Sequence, residues 1–67
     1  MPSGVVSWFD GGKGFGFIRP DAGGPEVFVE YTEVVGEGFR TLRDGQRVEY
    51  RVQETRRGPE AHQVRIV

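Results

Sequence analysis

A small all-β barrel of five short strands is the fold that this sequence predicts, and three observations predict it. Eleven of the 67 residues are glycine, well above the usual share of about 7%, and they fall between apolar pairs, which calls for tight turns. No segment places apolar residues at i, i+3 and i+4 over helical length. Instead, runs rich in Val, Phe, Tyr and Trp alternate in and out at the period of a strand. Five such strands in one small domain remove their exposed edges by closing, or nearly closing, into a barrel.

Residues 4–9, Gly-Val-Val-Ser-Trp-Phe, read as the first strand, and Asp10-Gly11-Gly12 as the hairpin connection that follows. Strict alternation sets Trp8 with Val6 on one face and Phe9 with Val5 and Ser7 on the other. The two aromatics serve a single surface only if the strand carries a bulge or a sharp twist. Residues 13–18 form the second strand, ended by Pro20, and 21–25 a flexible loop. In the third strand, residues 26–31, Val27 and Val29 face in while Phe28 and Glu30 face out.

Residues 32–35 suit one helical turn capped by Thr32, too short to stand alone. A long connection follows, with Phe39 between glycine and arginine and Leu42 as the plug of the barrel; Asp44-Gly45 is another turn. Residues 47–53 alternate, with Val48, Tyr50 and Val52 inward, and residues 54–59 make a basic turn into a closing strand at 61–67.

The chemistry centres on Lys13-Gly14-Phe15-Gly16-Phe17-Ile18. As a strand it sets Lys13, Phe15 and Phe17 on one face and Gly14, Gly16 and Ile18 on the other. Two phenylalanines beside a lysine make poor solvated surface and poor core, but a good platform for unpaired bases, with a cation for the backbone. The string also fits the opening of an RNA-binding consensus. The competing reading is a core strand with both rings turned inward, the ordinary preference of Phe.

Composition narrows the choice further. A chain of this length makes one domain, residues 1–67, that buries only about 60% of its unfolded surface. It holds no cysteine, which excludes disulfides and thiolate metal sites and fits a reducing compartment. No apolar run approaches the roughly 20 residues of a bilayer span, and the start lacks the pattern of a signal peptide. A soluble, cytoplasmic domain is the expectation. The net charge of −1 argues against a duplex binder that works by neutralising phosphates alone, and leaves room for a single-strand binder that works by stacking.

Trp8-Phe9, Lys13-Gly14-Phe15-Gly16-Phe17-Ile18, Val27-Phe28-Val29, Gly36-Glu37-Gly38-Phe39 and Arg57-Gly58-Pro59, in this order and spacing, resemble the bacterial cold-shock proteins over essentially the whole chain. The RNA-recognition motif shares the first ring-bearing string, but its second motif comes earlier in the chain and it requires helices that this sequence does not offer. The resemblance implies a five-stranded antiparallel OB-fold barrel that binds single-stranded RNA and single-stranded DNA across an exposed aromatic face. The stacking set it implies is Trp8, Phe15, Phe17, Phe28, Tyr31 and Phe39, with Phe9 alongside, and Lys13 and Arg57 as cations. It further implies a monomer acting as an ATP-independent nucleic-acid chaperone, with consequences for transcription antitermination or translation.

The chain departs from the family pattern at Ser7, where Lys is usual, at Asp10, where Asn is usual, and at Glu30, where His commonly sits among the stacking residues. Each change makes the face less positive, so weaker binding and a shallow salt dependence are expected, offset in part by Arg19, Arg40 and Arg56. Tyr31 stands for the usual Phe and keeps its π-face.

Other chemistry finds little support. His62 is the single histidine and has no partners for a metal set. Asp10 and Glu30 lack a nucleophile or a water-excluding pocket for acid–base work, so no enzyme and no cofactor are expected. Gly14-Phe15-Gly16 is not followed by the Gly-Lys-Ser/Thr of a phosphate loop. The alternative function is a small barrel that docks proline-rich peptides in an aromatic groove; the glycine-separated Phe pair with Lys13 favours bases.

Overall fold

The computed structural model describes residues 1–38 and 40–67, so Phe39 of the expected stacking set lies outside the described residues. Five strands, β1 (Ser3–Asp10), β2 (Phe15–Pro20), β3 (Val27–Glu30), β4 (Arg47–Thr55) and β5 (Gly58–Ile66), close into a barrel in the order β1-β2-β3-β5-β4. The seams β1–β2, β2–β3, β1–β4 and β4–β5 are antiparallel. The closing seam between β3 and β5 is parallel, through Phe28 and Glu60, which corrects the expectation of antiparallel pairing throughout. One long connection and the β4–β5 hairpin follow β3, and they bring the last strand back alongside β3 in the same direction.

Alternation fills the interior. Val6, Ile18, Val27, Val29, Val48 and Val64 are buried on the strands, and Leu42 of the long connection is buried in the same core cluster. Each such side chain contributes about 1.5–3 kcal/mol when fully buried, and none of them belongs to the ring face. Tyr50 is fully buried in this core. Burial pushes its phenol above its ordinary pKa, and its hydroxyl finds no partner among the described residues.

Val52 is not inward as expected but 41% exposed. β1 covers β4 only from Arg47 to Glu49, so Val52 lies beyond the β1 seam and is left open on that side, although its β5 partner Ala61 is buried. The register shift between Glu49 and Arg51 coincides with a positive φ of 50° at Gln63, the mark of a bulge in β5. The helical turn is a 3-10 turn, Tyr31–Glu33, and Thr32 does not cap it; the N-cap position is Glu30, which makes no side-chain capping bond.

A second bulge, in β1, decides where the rings go. Val6 faces Ile18 and Trp8 faces Phe17, so Ser7 is the extra residue on its strand. The bulge inverts the alternation, leaving Val6 buried, Trp8 outward and Phe9 packed against the core. Here the turn before β4 takes over from β4 as hydrogen-bond partner. Val6 N–H donates to the Gln46 carbonyl (2.8 Å), Gly45 N–H to the Val6 carbonyl (2.7 Å) and Phe9 N–H to Asp44 Oδ1 (3.1 Å). Gly16 makes the geometry possible from the other side. A Cβ there would run into the Trp8 carbonyl oxygen and come within 2.7 Å of Phe9 Cα.

Two stability predictions follow from these contacts. Gly16→Ala forces a methyl group into backbone that cannot swing aside, and is expected to destabilise by about 3 kcal/mol or more, at the upper end for overpacking, in a denaturant titration. The second concerns Asp21, which ties the loop after β2 to β4 and the chain start by accepting from Arg47 Nη2 (2.6 Å) and Ser3 Oγ (2.9 Å). The Arg47 hydrogen bond, then that from Ser3, holds the Asp21 carboxyl below its ordinary pKa of 3.8. Its contribution is therefore present above that value and lost as pH falls through the lower folded-state pKa. Asp21→Asn should melt below the parent near pH 7, with the difference closing as pH falls below the ordinary carboxylate range and the Asp21 carboxyl takes up its proton; a gap that persists in strong acid would contradict the assignment.

Candidate nucleic-acid interface

The outward positions of β1, β2 and β3 form two rows across the sheet. Register pairing aligns Trp8 with Phe17, Phe17 with Phe28, and Phe28 with Glu60 in one row, and Asp10 with Phe15 and Phe15 with Glu30 in the next. The four rings touch. Trp8 lies 5.6 Å from Phe15 at 71° and 5.5 Å from Phe17 at 50°, while Phe28 lies 5.9 Å from Phe15 at 29° and 5.8 Å from Phe17 at 74°. These are the edge-to-face and offset arrangements that aromatic quadrupoles favour. Trp8 remains 40% exposed, and the phenylalanines are half-buried by one another. The core packs without them.

The remaining expected residues distribute around this patch. Phe9 does not join it; the Ser7 bulge sends its ring to the core side, opposite Gly16. Lys13 is not on the strand face with Phe15 and Phe17 either. It lies in the turn before β2, because Gly14 takes a φ of +80° and breaks the alternation there. Asp10 builds that turn: its Oδ1 accepts from the N–H groups of Gly12 (2.9 Å) and Lys13 (3.0 Å), a local bond that Asp and Asn supply equally well.

Tyr31 sits beside the turn, 46% exposed. Its ring lies over Gly14, where a Cβ would stand 2.7 Å from Cδ1, and its N–H donates to the Gly14 carbonyl (2.8 Å). Lys13, Tyr31 and Arg40, with Gly11, Gly12 and Gly38, line an open cleft of about 440 Å³ at this end of the ring face. Two cations and a phenol ring thus lie next to one another, although they come from three separate segments.

At the other end Arg57, on the β4–β5 turn, borders a smaller cleft of about 200 Å³ with Phe17, Phe28 and Glu60. Its guanidinium bonds Glu60 Oε2 at 3.0 Å, and Thr55 Oγ1 bonds the same oxygen (3.2 Å). Glu60 escapes the sequence reading because the closing strand, expected at 61–67, begins at Gly58 and so includes it; the i, i+3 spacing of opposite charges across a tight turn is the available signal. Glu26 was missed as well. It accepts from Ser7 Oγ at 2.6 Å, a contact that depends on the bulge.

The arrangement is a shallow, half-apolar platform with cations at its rims. No helix among the described residues is long and apolar enough to cross a membrane. Residues 2–67 match the family model described as "'Cold-shock' DNA-binding domain". The chain is 52% identical to the probable cold shock protein A of Mycolicibacterium smegmatis over the full length of both chains. It is also 52% identical to the cold shock-like protein CspA of Vibrio cholerae, over 92% of this chain and 89% of the relative. Among solved structures, drosophila Unr CSD456 superposes with a TM-score of 0.79 at 23% identity, over 98% of this chain and 26% of that one, a likeness that bears on the fold. A closed five-stranded barrel with a cluster of outward rings and a match spanning all but the first residue together place this chain in the nucleic-acid-binding cold-shock domain family.

Proposed function

We propose that the chain binds single-stranded RNA and single-stranded DNA by stacking unpaired bases on Trp8, Phe15, Phe17 and Phe28, with Tyr31 extending the surface. The observation that carries this reading is the contact cluster of four rings on the outside of the barrel, outside the core that holds the fold together. Rings in this position lose water contact only when something flat covers them, and each stacked base contributes roughly 1–3 kcal/mol. Three or four bases then supply useful affinity without a net positive charge.

Lys13 and Arg40 suit phosphates near Tyr31, and Arg57 suits the backbone or a base edge beside Phe28, with part of its charge taken up by Glu60. Phe39 belongs to the proposed set by family resemblance. The protein acts as a monomer in the cytoplasm, where it meets RNA and melted DNA, and it has no catalytic step. By holding the open strand through weak contacts it shifts hairpins toward the unfolded form by mass action, without ATP. Effects on transcription antitermination or translation follow from that shift.

Trp8 is the single tryptophan and reports occupancy directly. A short oligothymidine should quench its fluorescence, and Phe15→Ala or Phe28→Ala should weaken binding by about 1–3 kcal/mol with an unchanged far-UV spectrum. A proline-rich peptide should leave the signal alone. Quenching by the peptide, or undiminished oligothymidine binding in both variants, would contradict the reading. In a salt titration, the few rim cations predict a slope of log K against log salt near −2, about three phosphates' worth on a single strand; a slope equivalent to six or more would show that charge dominates.

A further inference from the structure

The carboxylates around the ring face are not equivalent. Asp10 Oδ1 is held by two backbone N–H groups, Glu26 by the Ser7 hydroxyl at 2.6 Å, and Glu60 by Arg57 and Thr55. Glu30 has a single weak contact among the described residues, the Thr32 hydroxyl at 3.5 Å, the outer limit for such a bond. It is exposed, and it is the cross-strand neighbour of Phe15, which sets their Cβ atoms about 5 Å apart. On the opposite side of Phe15 the Trp8 ring stands at 71° and forms a wall. On the β3 side the Phe28 ring lies 5.9 Å from Phe15 at only 29°, so it extends the floor instead of walling it; a base lying on Phe15 is closed off by Trp8 and can turn its hydrogen-bonding edge to the Glu30 carboxylate.

An ionised carboxylate only accepts hydrogen bonds. Guanine presents two donors side by side on its Watson–Crick edge, N1–H and the N2 amino group, which match the two oxygens. Thymine and uracil present one N–H between two carbonyl oxygens, and those oxygens are repelled. Adenine and cytosine present one amino donor beside an acceptor nitrogen. We propose that Glu30 is a specificity-determining residue that selects guanine over thymine or uracil at the Phe15 position. The proposal rests on the reading of the ring face as a single-strand platform. The charge that disfavours phosphate at this point thus gains a use when a base edge lies there instead.

The test uses the full chain, Trp8 fluorescence and thymidine heptamers at fixed salt. One thymine is replaced by guanine at each position in turn, and then by hypoxanthine, which lacks the N2 amino group. Guanine at one position should tighten binding about fivefold or more, the low end for a two-bond base contact. The gain should fall away with hypoxanthine, and with guanine in Glu30→Gln, whose amide replaces one acceptor by a donor. Glu30→Asp, which keeps the carboxylate, should retain part of it. The hypoxanthine comparison uses the unaltered protein and does not depend on how either variant folds. An all-thymine heptamer that binds as tightly as every guanine variant, or a guanine gain undiminished in folded Glu30→Gln, would overturn the assignment while leaving the platform intact. If no heptamer quenches Trp8, the platform reading fails and this inference fails with it.

Discussion

The close approach of β1 to β2 at Gly16 is the constraint on which the rest of the ring face depends. Only a residue without a Cβ lets the Trp8 carbonyl and Phe9 Cα lie where they do. That proximity accommodates the extra residue Ser7 in β1, and the extra residue turns Trp8 outward and Phe9 inward. Without the bulge, Trp8 would follow Val6 into the barrel and the platform would lose its wall. The backbone groups displaced by the bulge are taken up by the turn at Asp44-Gly45-Gln46. A feature of β1 is thus satisfied from the entrance to β4, and the two ends of the barrel wall are coupled.

Core and platform divide the apolar residues between them with little sharing. Aliphatic side chains and Tyr50 fill the interior with Phe9 packed against them, whereas the rings of Trp8, Phe15, Phe17 and Phe28 collect on one outer face. This separation lets a small domain keep rings in water, because its stability comes from the valines, Ile18 and Leu42. The acidic residues near the face are mostly absorbed into local structure. Asp10 shapes the turn that carries Lys13, Glu60 holds Arg57 at the edge of Phe28, and Glu26 steadies Ser7. A net charge of −1 therefore understates how accommodating the face is to a polyanion.

Much of this was legible in the sequence, and the failures share a cause. The outward Phe28 and Glu30 and the inward Val27 and Val29 followed from alternation, because β3 is short and regular. Alternation failed wherever the backbone left the regular strand path. At Ser7 the count could not be settled without the register of β2, which is a property of two strands together. At Lys13 the positive φ of Gly14 moved the side chain off the face. At Val52 the alternation was sound, but the β1 seam had already ended on that side. The parallel seam between β3 and β5 carries one register pair and leaves no local pattern. The cleft that gathers Lys13, Tyr31 and Arg40 was likewise hidden: each residue was legible as a ring or cation, but their separation in sequence leaves no sign that they adjoin.

The central claim is that the ring face of β1–β3, and no other surface, receives the nucleic acid. Backbone and aromatic resonances recorded by NMR during titration with a short single-stranded oligonucleotide test it directly. Shifts should concentrate on Trp8, Phe15, Phe17, Phe28 and Tyr31, while the outer edge of β4 around Val52 and Gln53 stays silent. Shifts centred on that β4 edge, with the four rings unmoved, would contradict it.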